Sequence, residues 1–399
     1  MDLSAVLAPL SPNRVRPVVN RWWSRLGQVF DDLGDRAGLA PGLIGFAVRF
    51  PLTRPIARRR AGAVFDLCAG FVYSQVLTAC VRLDLFMHLR RGPRSLPDLA
   101  RALDLPEDGA RRLLDAATAL RLAKRAGRDR YRLGALGRAV LLDPGIGAMV
   151  EHHGLLYRDL ADPVALLRGD RGERALGAFW SYSEREHAEG QGRDEVLGYT
   201  RLMSASQAMV SREVVKAFAF GRHRRMVDVA GGDGTFLEAV LAAAPGLEAT
   251  LFDLPAVAAE AEARFARTRL WSRTRAVGGD FRHDPLPAGA DLISLIRVLH
   301  DHDDATAMAL LTSVYRALEP GGVLLVAEPL AETAGAERVG GAYFGFYLMA
   351  MGQGRPRSAA ELTEMLSSAG FVDVARCATA LPIVTSVLTG RKPENTTEV

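Results

Sequence analysis

Between residues 216 and 390 the chain alternates two hydrophobic rhythms. Short continuous apolar runs (RMVDVA, EATLFDL, ADLISLI and GGVLLVAE) are separated by segments whose apolar residues recur every three or four positions. The runs predict strands buried on both faces, and the spaced segments predict helices packed over them. Strand alternating with helix implies an α/β fold with a doubly wound, Rossmann-like parallel sheet. Upstream, residues 61–215 read as mostly helical. FDLCAGFVYSQVLTACVRLDLFMHL carries the helical spacing and is closed by Gly92 and Pro93. RSLPDLARALDLPEDGARRLLDAATALRLAKRAGRDRYRLGALG then reads as helix, turn, helix and short β-ribbon, the winged-helix order. Residues 1–60 form a basic, proline-punctuated extension, and residues 391–399 a polar tail expected to fray.

A winged helix raises a non-enzymatic reading, a transcriptional regulator. Its second helix, however, offers only Arg111 and Arg112 before turning apolar. A recognition helix presents several polar side chains to base edges. This surface is built to be covered, so no nucleic-acid partner is expected. A net charge of +4 on 399 residues, with 49% hydrophobic and 24% charged residues, changes nothing in that picture. No charge-free apolar run of about 18 residues occurs, so no membrane span is expected. The start, MDLSAVLAPLSPNRVRP, lacks signal-peptide features, which makes cytoplasmic residence the expectation. Trp22 and Trp23, with Arg54, Arg58, Arg59 and Arg60, suit peripheral contact with a membrane surface; an extension wrapping a partner subunit is the other reading. Cys68, Cys80 and Cys377 have neither metal nor disulfide spacing, and Cys68 and Cys80 read as small core residues.

The chemistry concentrates at VDVAGGDGTF, where a buried strand breaks into glycines before a helix. A dinucleotide fingerprint would need Gly or Ala at 237, and that position is Leu237. Asp233 stands inside the turn and Asp228 just before it. Carboxylates beside a helix N-terminus disfavour a pyrophosphate. They suit a cation such as the ammonium and sulfonium of S-adenosylmethionine. Gly231 and Gly232 would form the cradle. Asp253, ending the next strand about 20 residues on, is placed to accept from ribose hydroxyls. Gly279, Asp280 and Phe281 stand at a third strand end, offering an acceptor for the adenine amine and an apolar face for its ring. Each carboxylate alone reads equally as a cap or turn former. Three at successive carboxyl ends of parallel strands point to a ligand edge.

With these motifs in place, residues 61–390 resemble the two-domain small-molecule O-methyltransferases of the hydroxyindole and plant caffeate type. DVAGGDG, FDLP, GGDF, RVLHDHDD and GRPRSAAELTEMLSSAGF carry the resemblance. It implies a homodimer joined through the winged-helix segment, S-adenosylmethionine as donor, and His300 as the base that takes the acceptor's proton. Glu328 matches the carboxylate that orients the base, and Arg297 a cofactor contact. Met203 matches a residue lining the active site. A second glutamate frequent in plant members is replaced by Pro356. Asp301, Asp303 and Asp304 beside His300 suggest metal ligands, but adjacent residues project differently, and the resemblance implies no metal. GAYFGFYLMAMGQG is apolar all round, which fits core packing or a channel for a hydrophobic acceptor lined by Phe346 and Met349. The wording FPLTRPIARRRAGAVFDLCAGFVYSQVLTACVRLDLF is similar to the family's 1-hydroxycarotenoid branch from purple photosynthetic bacteria. That implies methylation of the tertiary C-1 hydroxyl of an acyclic carotenoid; an aromatic or polyketide phenol is the alternative acceptor.

Overall fold

The computed structural model describes residue 51 and residues 54–169, 174–184 and 207–394. The chain falls into two compact units that divide between Leu77 and Thr78. A 29-residue helix, Arg54–Arg82, opens the described chain. It begins ahead of the 60/61 boundary read from the sequence. It breaks at Asp84, whose φ of 50° is left-handed, and a short helix, Leu85–Leu89, follows. Cys80 is buried, whereas Cys68, expected in a core, is exposed. Among the described residues Arg54–Arg82 is the helix long and apolar enough to cross a membrane by length and composition. The charge-free criterion overlooked it because Asp66 interrupts its apolar run.

The winged helix forms as expected. Helices Leu96–Ala102 and Glu107–Ala119 are flanked by β1 (Arg94–Ser95), β2 (Ala123–Arg125) and β3 (Arg130–Leu133), which pair in the order β1-β3-β2. Ala110, Leu114 and Ala117 turn the second helix inward. Its two arginines are drawn to Glu107 and Asp108 of their own helix.

The sheet that carries the chemistry has seven strands, in the order β6-β5-β4-β7-β8-β10-β9. These are β4 (Arg225–Val229), β5 (Glu248–Asp253), β6 (Thr274–Gly278), β7 (Ala290–Ile296), β8 (Leu318–Glu328), β9 (Val372–Cys377) and β10 (Ser386–Arg391). β4 to β8 run parallel, and β10 and β9 close one edge antiparallel. Alternate side chains of each strand enter different cores. Val227, Val229, Ile293 and Leu295 join Leu310, Leu311 and Leu362 on one face. Met226, Leu292 and Ile296 join Phe236, Leu237 and Phe265 on the other. Such double-sided burial is why the strands read as unbroken apolar runs. Strand order reverses between β4 and β7, and a crevice beyond the carboxyl ends of such a switch point is where doubly wound sheets bind ligands.

The tail departs from expectation at its start. Arg391 ends β10, Lys392 N–H donates to Gly322 O at 2.8 Å, and its Nζ donates to Leu318 O at 2.7 Å. Those bonds hold residues that polarity alone marked as frayed.

Candidate active site

The glycine turn is fixed by backbone geometry. Ala230, Gly232 and Gly234 all take positive φ, at 55°, 61° and 82°. A Cβ on Gly234 would lie 2.5 Å from the Phe265 ring, so the turn presses directly on the core. Gly231 has a different reason. A Cβ there would fall 2.7 Å from Asp228 Oδ2. Asp228 is fully buried beneath the turn, and Ser294, its register partner on β7, donates a hydrogen bond to Oδ1. Burial pushes its carboxyl up to about 7. Oδ2 and the neighbouring Thr235 Oγ1 are buried without a hydrogen-bond partner among the described residues.

Asp233 is a correction to the sequence reading. Oδ1 accepts from Thr235 N–H at 3.1 Å, at the start of helix Thr235–Ala243. Oδ2 accepts from Arg264 at 2.6 Å, and Arg264 also grips Glu238. That carboxylate therefore braces the helix start and meets a guanidinium, instead of facing a ligand's cation. The carboxyl lying directly beneath the turn is that of Asp228.

Asp253 stands where expected. Its Oδ2 accepts from Gly232 N–H at 2.8 Å and its Oδ1 from Leu254 N–H at 2.7 Å, while burial raises its pKa. The carboxylate is thus aimed across the turn, with lone pairs remaining for a diol. Gly279 is buried, its N–H donates to Asp253 O at 2.9 Å, and a Cβ would strike the Phe252 ring. Asp280 follows β6, but Arg282 grips both its oxygens, at 2.8 to 3.1 Å, and holds it below the usual carboxylate range. An adenine amine would compete with that guanidinium. Phe281 is half-buried, edge-on to His302 at 5.2 Å. Arg297 follows β7 with φ 59°, and its charge acts on Asp301 and Tyr343. An orphaned carboxylate oxygen under an open glycine turn, with a second carboxylate at the next strand end, fits a nucleoside that carries a cationic group.

The residues expected to form the reaction centre lie at and just beyond the ends of β7 and β8. His300 was expected to end a strand. The strand stops at Ile296, Arg297 turns left-handed, and His300 sits on the 3-10 turn Leu299–Asp301. Glu328, ending β8, holds that turn and the ring together. Its Oε1 accepts from Val298 N–H at 3.0 Å and Leu299 N–H at 2.8 Å, and its Oε2 from His300 Nδ1. Both side chains are almost wholly buried. This orienting contact matches the expected pairing.

The second contact was missed. His300 Nε2 lies 3.0 Å from Asp301 Oδ1. Burial alone would lower the imidazole's pKa, but Asp301 and Glu328 outweigh it and raise it to about 10. In this arrangement the ring is an imidazolium between two carboxylates. To act as a base it must release Nε2 from Asp301. The three aspartates weighed as metal ligands have three different partners: Asp301 meets His300, Asp303 caps Thr306 N–H at 2.8 Å, and Asp304 meets Arg357. The adjacent His-Asp pair was the available signal for the first.

Phe344 is an aromatic beside His300, with ring centroids 6.0 Å apart. Helix Phe344–Met351 follows a π-helical turn, Arg338–Tyr343. Phe346 and Met349 are half-buried against a small cluster around Leu156, Leu166 and Leu176. Two histidines of helix Pro144–Asp159, absent from the sequence reading, bond this segment. His152 Nε2 meets Tyr347 Oη at 2.9 Å, and His153 Nε2 meets Tyr343 Oη at 2.8 Å. Burial pulls His152 down to about 4, so the pair is neutral glue. Met203, Trp22 and Trp23 lie outside the described residues.

Comparison with known proteins bears on both halves of the chain. Residues 65–143 match the O-methyltransferase dimerisation domain, and residues 157–372 the O-methyltransferase domain. Demethylspheroidene O-methyltransferase of Cereibacter sphaeroides is 43% identical over 350 residues, covering 88% of this chain and 92% of that protein. The protein of the same name from Rhodobacter capsulatus is 41% identical, covering 88% of each chain. Human N-acetylserotonin methyltransferase, solved in complex with SAM, superposes with a TM-score of 0.68 at 27% identity, covering 84% of this chain and 98% of that one.

Proposed function

The chain belongs to the two-domain O-methyltransferase family, and we propose that it methylates the tertiary C-1 hydroxyl of an acyclic 1-hydroxycarotenoid. It is an S-adenosylmethionine-dependent enzyme with the family's dimerisation domain, and its homodimer takes a hydrophobic small-molecule acceptor. The observation that carries the chemistry is the buried His300–Glu328 pair at the carboxyl edge of the sheet, beside the glycine turn and Asp253. The acceptor class is supported by the two relatives above 40% identity; a phenolic acceptor draws on relatives such as rat acetylserotonin O-methyltransferase, at 30%.

When bound, the donor supplies a methyl group on a sulfonium. Asp253 and the Gly231–Gly232 backbone would hold its ribose and Asp228 would lie under its cationic end, with Phe281 against the base. Glu328 fixes the imidazole through Nδ1 and the backbone that carries it. Nε2, once released from Asp301 and deprotonated, is then the atom able to take the acceptor's proton. A tertiary alcohol is weakly acidic and crowded, so an oriented, strongly basic imidazole matters more here than for a phenol.

Helix Arg54–Arg82 exposes Val64, Phe65, Leu67 and Phe71, which lie within or beside the matched dimerisation region. A second copy covers that face in our reading. Arg54, Arg58, Arg59 and Arg60 precede it, and with the extension they give peripheral contact with the cytoplasmic face of a membrane, where such acceptors dissolve. Pigment extracts from cells lacking the protein test the acceptor. Accumulation of demethylated carotenoid is expected, and an unchanged pigment profile refutes it.

A further inference from the structure

Behind the turn that carries His300 runs the segment Gly354–Arg357. A Cβ on Gly354, which takes a φ of 86°, would fall 2.2 Å from His300 O and 2.6 Å from the Asp301 carbonyl carbon. The two backbones are therefore in direct contact. Arg357 is 2% exposed, a depth at which a guanidinium must have its donors occupied. Nη1 donates to Leu299 O at 2.5 Å and Nη2 to His302 O at 2.9 Å. These carbonyls lie on either side of His300 in the chain. Nε and Nη2 also reach Asp304 Oδ1, at 3.0 and 2.7 Å, where the next helix begins.

The main chain of the same residue reaches the other half of the site. Arg357 O accepts from Ala331 N–H at 2.9 Å, three residues beyond Glu328. Ser358 then caps helix Ala359–Ser368 in a reciprocal box with Glu361. Arg355 holds Asp304 and Glu361 from outside. One residue thus bonds to the turn carrying the imidazole and to the segment leaving the carboxylate, from an anchored helix start.

We infer that Arg357 is a positioning residue for the methyl-transfer base: its guanidinium clamps the carbonyls flanking His300 and, through its main chain, sets the ring against Glu328. Its guanidinium is taken up by main-chain carbonyls and Asp304. The inference rests on the reading of His300 as the base. Without the clamp the turn carrying His300 loses two of its fixed carbonyls and the imidazole wanders from its line to the acceptor. A misplacement of about 1 Å costs on the order of 10²-fold in rate.

The test compares Arg357→Ala and Arg357→Lys with the parent enzyme. Turnover is measured with and without added guanidinium ion, and affinity for S-adenosylhomocysteine by calorimetry. The His300 Nδ1–H proton resonance, identified by its loss in Glu328→Gln, is followed by NMR. The clamp predicts that Arg357→Ala loses roughly 10²-fold in kcat, with acceptor KM and product affinity within about twofold. Guanidinium restores part of the loss, and the Nδ1–H resonance moves upfield or broadens. A folded Arg357→Ala enzyme with parental kcat and an unmoved resonance overturns the inference. So does a loss of product affinity as large as the loss of kcat, which marks general structural damage. If the alanine variant does not fold, Arg357→Lys decides on the same two readouts. Normal turnover by His300→Ala would refute the base reading instead, while the resonance still reports whether Arg357 positions the ring.

Discussion

Replacing Asp301 by asparagine removes one of two charges flanking the imidazole and leaves its shape nearly unchanged. Asp301 Oδ1 lies 3.0 Å from His300 Nε2, a charge-assisted contact. Hydrogen bonds to charged groups contribute about 1.5–3 kcal/mol. The Asp301 side chain is 31% exposed, so solvent screening favours the lower end of that range. At about 1.36 kcal/mol per pKa unit, the imidazole's pKa falls by roughly one unit from its starting value. That starting value is about 10. A base works when deprotonated, so the acidic limb of kcat/KM against pH moves to lower pH by about the same amount. The sign for stability is independent. A raised histidine pKa contributes stability that is complete below its unfolded value, near 6.5, and is lost as pH climbs through about 10. The parent's stability advantage over Asp301→Asn should therefore fade across that window. The assay is a pH series of kcat/KM with a parallel NMR titration of His300. A limb and a titration that stay put, or move upward, refute the reasoning.

Three further substitutions probe the site. His300→Ala should abolish turnover and leave donor affinity intact in calorimetry; weakened binding with turnover preserved would contradict its assignment. Asp253→Ala should weaken donor binding by about 1.5–3 kcal/mol, the worth of charged hydrogen bonds, and an unchanged affinity would move the ribose site elsewhere. Asp228→Asn tests the buried carboxyl. Its pKa is raised to about 7, so its contribution to stability is complete below the ordinary carboxylate range and lost as pH rises through 7. The asparagine variant should gain in melting temperature relative to the parent as pH rises from about 4 to about 7 and level off above that, and a constant difference would contradict the burial effect.

Strands β4, β5, β7 and β8 were legible because burial on both faces makes them continuously apolar. β6 was legible only from its end, before Gly279, because TRAVG is a five-residue edge strand without a fully buried side chain. β9 and β10 carry polar residues on an antiparallel edge, and the end of β10 looked like tail. Asp253 and Glu328 were legible because each ends a strand whose apolar run is visible, whereas His300 lies on a turn four residues beyond its strand. Asp233 was misjudged, since local spacing does not reveal that Arg264 takes up its charge, and the same spacing does not reveal that Arg282 grips Asp280. Arg357 shows the limit most clearly, because its partners at Leu299 and His302 are main-chain carbonyls more than fifty residues away, and no side-chain pattern records them.

The central claim is that this chain moves a methyl group onto a carotenoid hydroxyl with His300 taking the proton. Incubating the purified enzyme, S-adenosylmethionine labelled in its methyl group and a 1-hydroxycarotenoid in lipid vesicles, followed by mass spectrometry, addresses it directly. The account predicts a labelled methyl ether from the parent enzyme and none from His300→Ala. An unlabelled carotenoid, with label passing instead to a phenolic acceptor, or equal product from both enzymes, would contradict it.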